Sequence, residues 1–291
     1  MGFKIAISGG TGFIGTALQD YYRNKGLDVS LITRKALQNR EELDALTEGS
    51  SMLINMAGEP VIRWWTKRKR ERIRNSRIGV TRLLVDSLNR IAQPPELFIQ
   101  ASAIGIYREN STELFDEESR NHSTSFLGEV VTAWENELTN IRARHIRTII
   151  IRIGLVLGSN GGFLHKLMPL FRVGLGTTFN KGEKYLSYVY LKELVRIVDY
   201  IRIKKEITGI VNITQPEFVT FDGFFNQLAG TIGKPMIFTV PDFLIRLVFG
   251  KASVALLSSH RVLPKKLLDH GYVFQYDSLE NILKEICHKS K

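Results

Sequence analysis

The sequence has too little cysteine for a disulfide framework. Its single thiol, Cys287, stands near the C-terminus of 291 residues, so a reducing, cytoplasmic setting is expected. The six histidines are scattered, with no paired Cys/His spacing, and no metal site is expected. No long uncharged apolar run is present either. The most apolar late stretch, FLIRLVFGKASVALL, carries Arg246 and Lys251 and reads as a buried helix, so no membrane span is expected. The opening MGFKIAISGG lacks a charged segment followed by a long apolar one, which argues against a signal peptide. No low-complexity linker or internal repeat is visible. With 44% hydrophobic residues the chain can bury a full-sized core.

Acidic residues are outnumbered. Forty Lys and Arg against 29 Asp and Glu leave a net charge of +11. Much of the excess lies in RWWTKRKRERIRNSR, Arg63 to Arg77. Such a cluster can neutralise phosphates, but no nucleic-acid-binding motif accompanies it. Ile73, Ile78, Val80, Leu83, Leu84 and Leu88 give the same region an apolar side. A solvated helix face is the preferred reading, and nucleic acid ranks well behind a small-molecule partner.

Glycine is where the chain becomes specific. KIAIS has the pattern of a short buried strand, and GGTGFIGTALQDYYRNKG turns into a helix with Ile14, Leu18 and Tyr22 at helical spacing. Gly9, Gly12 and Gly15 form G-x-x-G-x-x-G across that junction. Gly9 permits the tight turn, Gly12 clears the approach of a pyrophosphate, and Gly15 lets helix and strand pack closely. The helix N-terminus offers free N–H groups to an anion. Thr11, Phe13 and Ile14 complete the expected cofactor loop.

The next strand, DVSLI, is followed by Thr33, Arg34 and Lys35, where an acidic residue would bind the ribose of NAD. A hydroxyl and two cations suit a 2′-phosphate instead, so the expected cofactor is NADP. SMLINMAG is a further strand, ending at Asn55, with Ala57, Gly58 and Glu59 as additional cofactor contacts. ELFIQASAIGIY ends a fourth at Ser102, and IRTIIIRIGLVLG is a fifth. Helical segments over 67–91 and 124–144 alternate with them, predicting an α/β, Rossmann-like, doubly wound parallel sheet with ligands at the carboxyl ends of its strands.

GGTGFIG, NMAG, SAIGIY and RIGLVLG, in this order, resemble the extended short-chain dehydrogenase/reductase superfamily. GEPVIRWWTKRKRERIRNSRIGVTRLL, FLGEVVTAWE, GLVLGSNGGFLHKLMPLFRVGLG and SSHRVLPKKLLDHGYVFQYDSLENIL are similar to its atypical sugar-nucleotide-epimerase-like group, which has a small C-terminal domain of unknown function. The resemblance implies a dinucleotide-binding domain over 1–240, with segments of a smaller lobe after about 155, and a C-terminal domain over 241–291 on the substrate side.

The resemblance also shows what is missing. The superfamily's tyrosine acid/base, with a lysine four residues on, has no counterpart: Phe126 or Leu127 stands for the phenol, and Val130 or Val131 for the amine. Its serine is matched by Ser102, which can hydrogen-bond a substrate oxygen. Sugar-nucleotide enzymes place Asn and Arg on the diphosphate where this chain has Leu155 and Leu186. Tyr190 offers a displaced phenol, with a pocket-wall aromatic as the plainer reading. Glu135 is an acid/base candidate if buried, with an exposed carboxylate as the plainer reading, and Trp134 reads as helix packing. The expected function is therefore an NADP-dependent oxidoreductase or epimerase-like enzyme for a small metabolite, with Ser102, Tyr190 and Glu135 as catalytic candidates. A catalytically silent NADP(H) sensor stands as the alternative.

Two smaller expectations concern the C-terminal stretch. Leu263, Leu267 and Leu268 should face inward around a helix opened by Pro264 and ended by Gly271. Val273, Phe274 and Tyr276 should form a short packed strand, docking the segment on the core.

Overall fold

The computed structural model describes residues 2–61, 65–110, 112–173, 177–178, 184–234, 238–239 and 259–288. The apolar stretch over 243–257 lies outside them, as do residues 62–64 of the basic run.

Six parallel strands form the central sheet: β1 Lys4–Ser8, β2 Asp28–Ile32, β3 Met52–Asn55, β4 Leu97–Ala103, β5 Arg147–Ile153 and β6 Gly209–Ile213, in the order β6-β5-β4-β3-β1-β2. Strand side chains alternate between the two faces. Ile5, Ile7, Met52, Ile54, Ile99, Ile149 and Ile151 join one core with Leu18 and Tyr22 of α1 (Phe13–Asn24) and with Leu194 and Val198 of a later helix, Leu191–Ile203. Ala6, Leu53, Phe98 and Ile150 face the other core, beneath Leu43, Leu84 and Leu88. Burial on both faces is why these strands read as nearly continuous apolar runs. The expected doubly wound sheet is observed. Its order reverses between β1 and β3, the point at which open α/β sheets bind ligands.

The fifth apolar run is two strands, not one. β5 stops at Ile153, and Leu155–Leu157 pairs with Tyr188–Tyr190 in a separate ladder. The break is at Gly154, where a Cβ would come within 2.8 Å of the Ser187 carbonyl oxygen. A second core is built from Leu157, Phe163, Phe171, Phe224, Leu228 and Ile282.

The first predicted helical region is α2 (Lys67–Arg74) and α3 (Val80–Leu88), joined through a π-helical segment, Asn75–Gly79. Ile73, Leu84 and Leu88 are buried as expected, but Leu83, one residue round from Leu84, is exposed. The second is α4, Phe126–Asn136, capped by Ser125, whose Oγ accepts from the Gly128 N–H.

The C-terminal segment docks on the sheet. Arg261–Val262 pairs in parallel with Leu114–Phe115, Val262 is fully buried, and its carbonyl accepts from Thr214 Oγ1 at 2.9 Å. The helix after Pro264 is short, Lys265–Asp269. Leu267 is fully buried, while Leu268 is 39% exposed, being the next residue round a single exposed turn. No strand forms over 273–276, and Val273 is 79% exposed. The reason is a carboxylate: Glu193 Oε2 accepts from the backbone N–H groups of Gln275 and Tyr276, both at 2.9 Å, where a strand partner would otherwise stand.

Candidate functional site

The glycine turn sits at the reversal of the sheet. Gly9 has φ +75°, and a Cβ on it would meet the backbone of Met56 and Ala57 at 2.6 Å. A Cβ on Gly15 would lie 2.2 Å from the Gly9 carbonyl oxygen, so that close packing excludes any side chain. At Gly12 a Cβ would meet one atom, the Gly9 carbonyl oxygen at 3.2 Å, a tight contact but a milder one than at Gly9 or Gly15, and Gly12 is exposed. α1 starts at Phe13 with no side-chain cap and no acidic residue in its first turn. Such a terminus presents unsatisfied N–H groups and a partial positive charge. The Phe13 ring fills the space over Gly158, Gly161 and Gly162, each of whose Cβ positions would fall within 3.0 Å of it. Thr11 is exposed and Ile14 half-buried.

After β2, Thr33 Oγ1 accepts from the Ala36 N–H at 3.2 Å, which fixes the turn, and Arg34 and Lys35 are exposed beside it. The turn after β3 is held from beneath. Asn55 Oδ1 accepts from the Ala57 N–H at 3.1 Å, while its Nδ2 donates to Thr81 Oγ1 and Gln100 Oε1. Trp134 Nε1 donates to the same Thr81 hydroxyl at 2.8 Å, so this buried indole both packs and orders the network.

Two residues of the basic run turn inward to the same place, so it is not simply a solvated face. Lys69 is buried and pairs with Glu59 at 2.6 Å. Arg77 donates to the Glu59 carbonyl at 3.0 Å, with its guanidinium 5.3 Å from the Trp134 ring. The Lys69 hydrogen bond, reinforced by Arg72 and Arg34 and opposed by partial burial, holds the Glu59 carboxyl below its usual range. Burial lowers Arg77 to about 10, against the pull of Glu59. Gly58 lies under the Arg77 guanidinium, 3.1 Å from where a Cβ would stand.

At the end of β4, Ser102 Oγ is 2.5 Å from Glu135 Oε1. Glu135 is not an exposed carboxylate: its side chain is 10% accessible, and Arg152, 3% accessible, grips both its oxygens. Since the guanidinium only donates, the Ser102 hydroxyl donates to Glu135 as well. Arg152 Nη1 also donates to the Tyr107 phenol at 3.0 Å, and that phenol lies 2.8 Å from Asn212 Oδ1 and from the Asp116 carbonyl. Burial alone would lower Arg152, but the bonds and charge of Glu135 outweigh it and raise the guanidinium above its ordinary value. Burial raises the Tyr107 phenol, with Arg152 pulling the other way. A continuous buried network thus runs from Ser102 through Glu135 and Arg152 to Tyr107 and Asn212. Tyr190 is placed elsewhere. It is buried in the second core, its ring 4.6 Å from that of Tyr276.

Beside this network a cavity of about 480 Å³ opens at the carboxyl ends of β4 and β5. Ala103, Tyr107 and Ile153 form its floor; Phe126 and Leu127 of α4 and Leu155 form walls. Phe126 is packed, with its ring 5.4 Å from Trp65 and 4.9 Å from the Arg70 guanidinium carbon. Val130 and Val131 are buried. The C-terminal segment closes one side with His260, whose Nε2 lies 3.1 Å from the Tyr107 carbonyl. A carbonyl only accepts, so Nε2 carries the proton, and burial lowers the ring's pKa. Another cavity of about 440 Å³, lined by Arg82, Asn89 and Arg142, lies at the opposite edge, where chains enter β4 and β5.

Arg152, Tyr107, Asn212 and His260 were not among the residues picked from sequence. Arg152 alone carried a signal, as a charge inside the apolar run IIIRI. Among the described residues, no His/Cys/Asp/Glu group is placed to hold a metal ion, and no helix is long and apolar enough to cross a membrane.

The parallel sheet, its reversal point and the glycine turn define an atypical short-chain dehydrogenase/reductase type of Rossmann-like protein. The chain belongs to the NAD dependent epimerase/dehydratase family, which matches residues 5–214, and residues 240–286 match a domain of unknown function, DUF1731. It is 30% identical to the mouse epimerase family protein SDR39U1 over 97% of this chain and 99% of that one. It is also 30% identical to the epimerase family protein YfhF of Bacillus subtilis, over 99% of both. The crystal structure of human SDR39U1 (isoform 2) with NADPH superposes with a TM-score of 0.90 at 27% identity, covering 98% of this chain and 99% of that one.

Proposed function

We propose that this protein is an NADP(H)-dependent oxidoreductase or epimerase-like enzyme acting on a small metabolite in the cavity beside Ser102. The observation that carries this reading is the glycine turn: its left-handed Gly9, the exposed Gly12 and the uncapped start of α1 together fit a pyrophosphate. The exposed Arg34 and Lys35 fit a 2′-phosphate, and the human relative is described with NADPH. Gly9, Thr11, Gly12, Phe13, Ile14 and Gly15 would hold the pyrophosphate side, with Thr33, Arg34, Lys35, Ala57, Gly58 and Glu59 toward the adenosine. When bound, NADP(H) would supply or accept a hydride.

The chain's own contribution is to orient the substrate and manage its proton. Ser102 Oγ can exchange its bond to Glu135 for one to a substrate oxygen, with Glu135 Oε1 as the adjacent proton acceptor. Tyr190 is the weaker candidate, because its ring belongs to the second core. The absence of a Tyr–Lys pair, with Phe126 and buried Val130 in that region, favours the second reading, a silent NADP(H) sensor.

Calorimetry with NADPH and NADH on wild type and Arg34→Asp tests the cofactor. A charge-assisted phosphate contact contributes about 1.5–3 kcal/mol, so NADPH should bind roughly ten- to a hundredfold more tightly than NADH, and Arg34→Asp should erase most of that margin. Equal wild-type affinities would reject NADP specificity. Oxidation of NADPH in a metabolite pool separates enzyme from sensor.

A further inference from the structure

Among the described residues, the wall of the cavity beside Tyr107 is mainly apolar, with one cation left over. Trp65, Phe126, Leu127, Leu155 and Leu186 line it. Among the described residues, two side chains on its wall carry full charges, Arg70 and Glu109. Glu109 is paired with Lys184 at 2.7 Å. Arg70 stacks on the Phe126 ring, and among the described residues it has no carboxylate partner. His260 adds no positive charge near neutral pH, since burial lowers its pKa.

That charge balance constrains the ligand. An anion entering a partly dry cavity loses hydration and must recover it from fixed donors or cations. One guanidinium matches one carboxylate, and its planar fork binds it through two parallel N–H···O bonds. A diphosphate would bring two charges against the apolar Leu155 and Leu186, and among the described residues of that wall no second unpaired cation faces it. A volume of about 480 Å³ falls in the range of small-ligand sites, which are largely apolar with a few placed polar groups.

We propose that this cavity takes a small, mainly apolar monocarboxylate, with its carboxylate on Arg70 and its body along Leu155 and Leu186, in preference to a nucleoside diphosphate sugar. As a statement about substrate, this rests on the enzyme reading above.

The test is a titration of the full chain, with and without saturating NADPH, using 3-phenylpropionate, its neutral amide 3-phenylpropionamide, and UDP-glucose. Calorimetry and tryptophan fluorescence provide the readouts. The acid should saturate and bind about ten- to a hundredfold more tightly than the amide. Arg70→Gln should remove that difference and Arg70→Lys should restore part of it. Arg70 lies half-buried on a surface helix, so both variants should fold. Leu127→Trp, which fills the cavity, should weaken acid and amide alike while leaving the far-UV spectrum unchanged. Equal binding of acid and amide, no saturation by the acid at about 10 mM, or tighter binding of UDP-glucose would overturn the proposal. The NADPH titration reports separately on the enzyme reading. If NADPH fails to bind while the acid saturates, that reading falls and the cavity's preference stands.

Discussion

Arg152 holds Glu135 through both carboxylate oxygens, Nε to Oε1 at 3.0 Å and Nη2 to Oε2 at 2.8 Å, tying β5 to α4. The pair is nearly dry. Removing one partner of a buried pair leaves an uncompensated charge, at a cost of about 3–5 kcal/mol. Arg152→Met should therefore lower the stability read from urea unfolding by that amount, and the Arg152→Met/Glu135→Met double variant should lose much less than the two single losses together. Additive losses would show that the pair is not energetically coupled.

The glycines of the first turn should separate folding from binding. Gly15→Ala drives a methyl to 2.2 Å from a backbone oxygen and should give little soluble protein. Gly12→Ala meets one atom at 3.2 Å and should fold with a near-native melting curve. Its NADPH affinity should nevertheless fall at least about tenfold, since the methyl occupies the approach of the pyrophosphate. Unchanged NADPH binding in a folded Gly12→Ala protein would remove Gly12 from the site.

His260 gives the cavity a pH dependence of defined sign. Burial lowers its folded pKa, while the unfolded ring titrates near about 6.5. The unfolded chain thus binds more protons below that value. Stability from the neutral ring is complete above about pH 6.5 and is lost as pH falls toward the folded pKa, with a slope of up to about 1.4 kcal/mol per pH unit. His260→Gln keeps a donor for the Tyr107 carbonyl and should flatten the dependence between pH 5 and 7. Parallel wild-type and variant profiles would rule out this contribution.

Phe126 supports the cavity wall between Trp65 and Arg70. Phe126→Ala should change tryptophan fluorescence and raise KM for any turned-over substrate, without deleting an ionisation from the pH–rate profile. Tyr190→Phe should leave NADPH affinity and turnover intact, because that ring is core packing against Tyr276. Loss of turnover at constant NADPH affinity would restore Tyr190 as a proton donor, a role usually worth about 10²–10⁴ in rate.

Much of this protein was legible in the sequence through local signals. The strand–turn–helix junction at Gly9 to Gly15 depends on backbone conformation and close approach, which a short stretch encodes. The strands were legible because a sheet covered on both faces selects apolar residues at every position. Boundaries were less so. The run IRTIIIRIGLVLG stays mainly apolar on both sides of Gly154, and its break there comes from the Ser187 backbone, which is distant in sequence. The stretch after Gly271 alternates like a strand, yet its N–H groups are taken by Glu193.

By itself, the sequence determined the layered parallel sheet, the glycine turn between its first strand and helix, and the lack of a tyrosine and lysine on the helix after Ser125. Those features follow from periodicity, glycine sterics and residue identity. Only the tertiary structure decided that Glu135 is buried, that Arg152 and Tyr107 complete its network, that Lys69 and Arg77 leave the basic run to hold the Glu59 turn, and that His260 reaches the cavity. Each depends on contacts between residues far apart in the chain. A charged side chain's environment is fixed by the groups that fold against it, and neighbouring residues alone do not specify them.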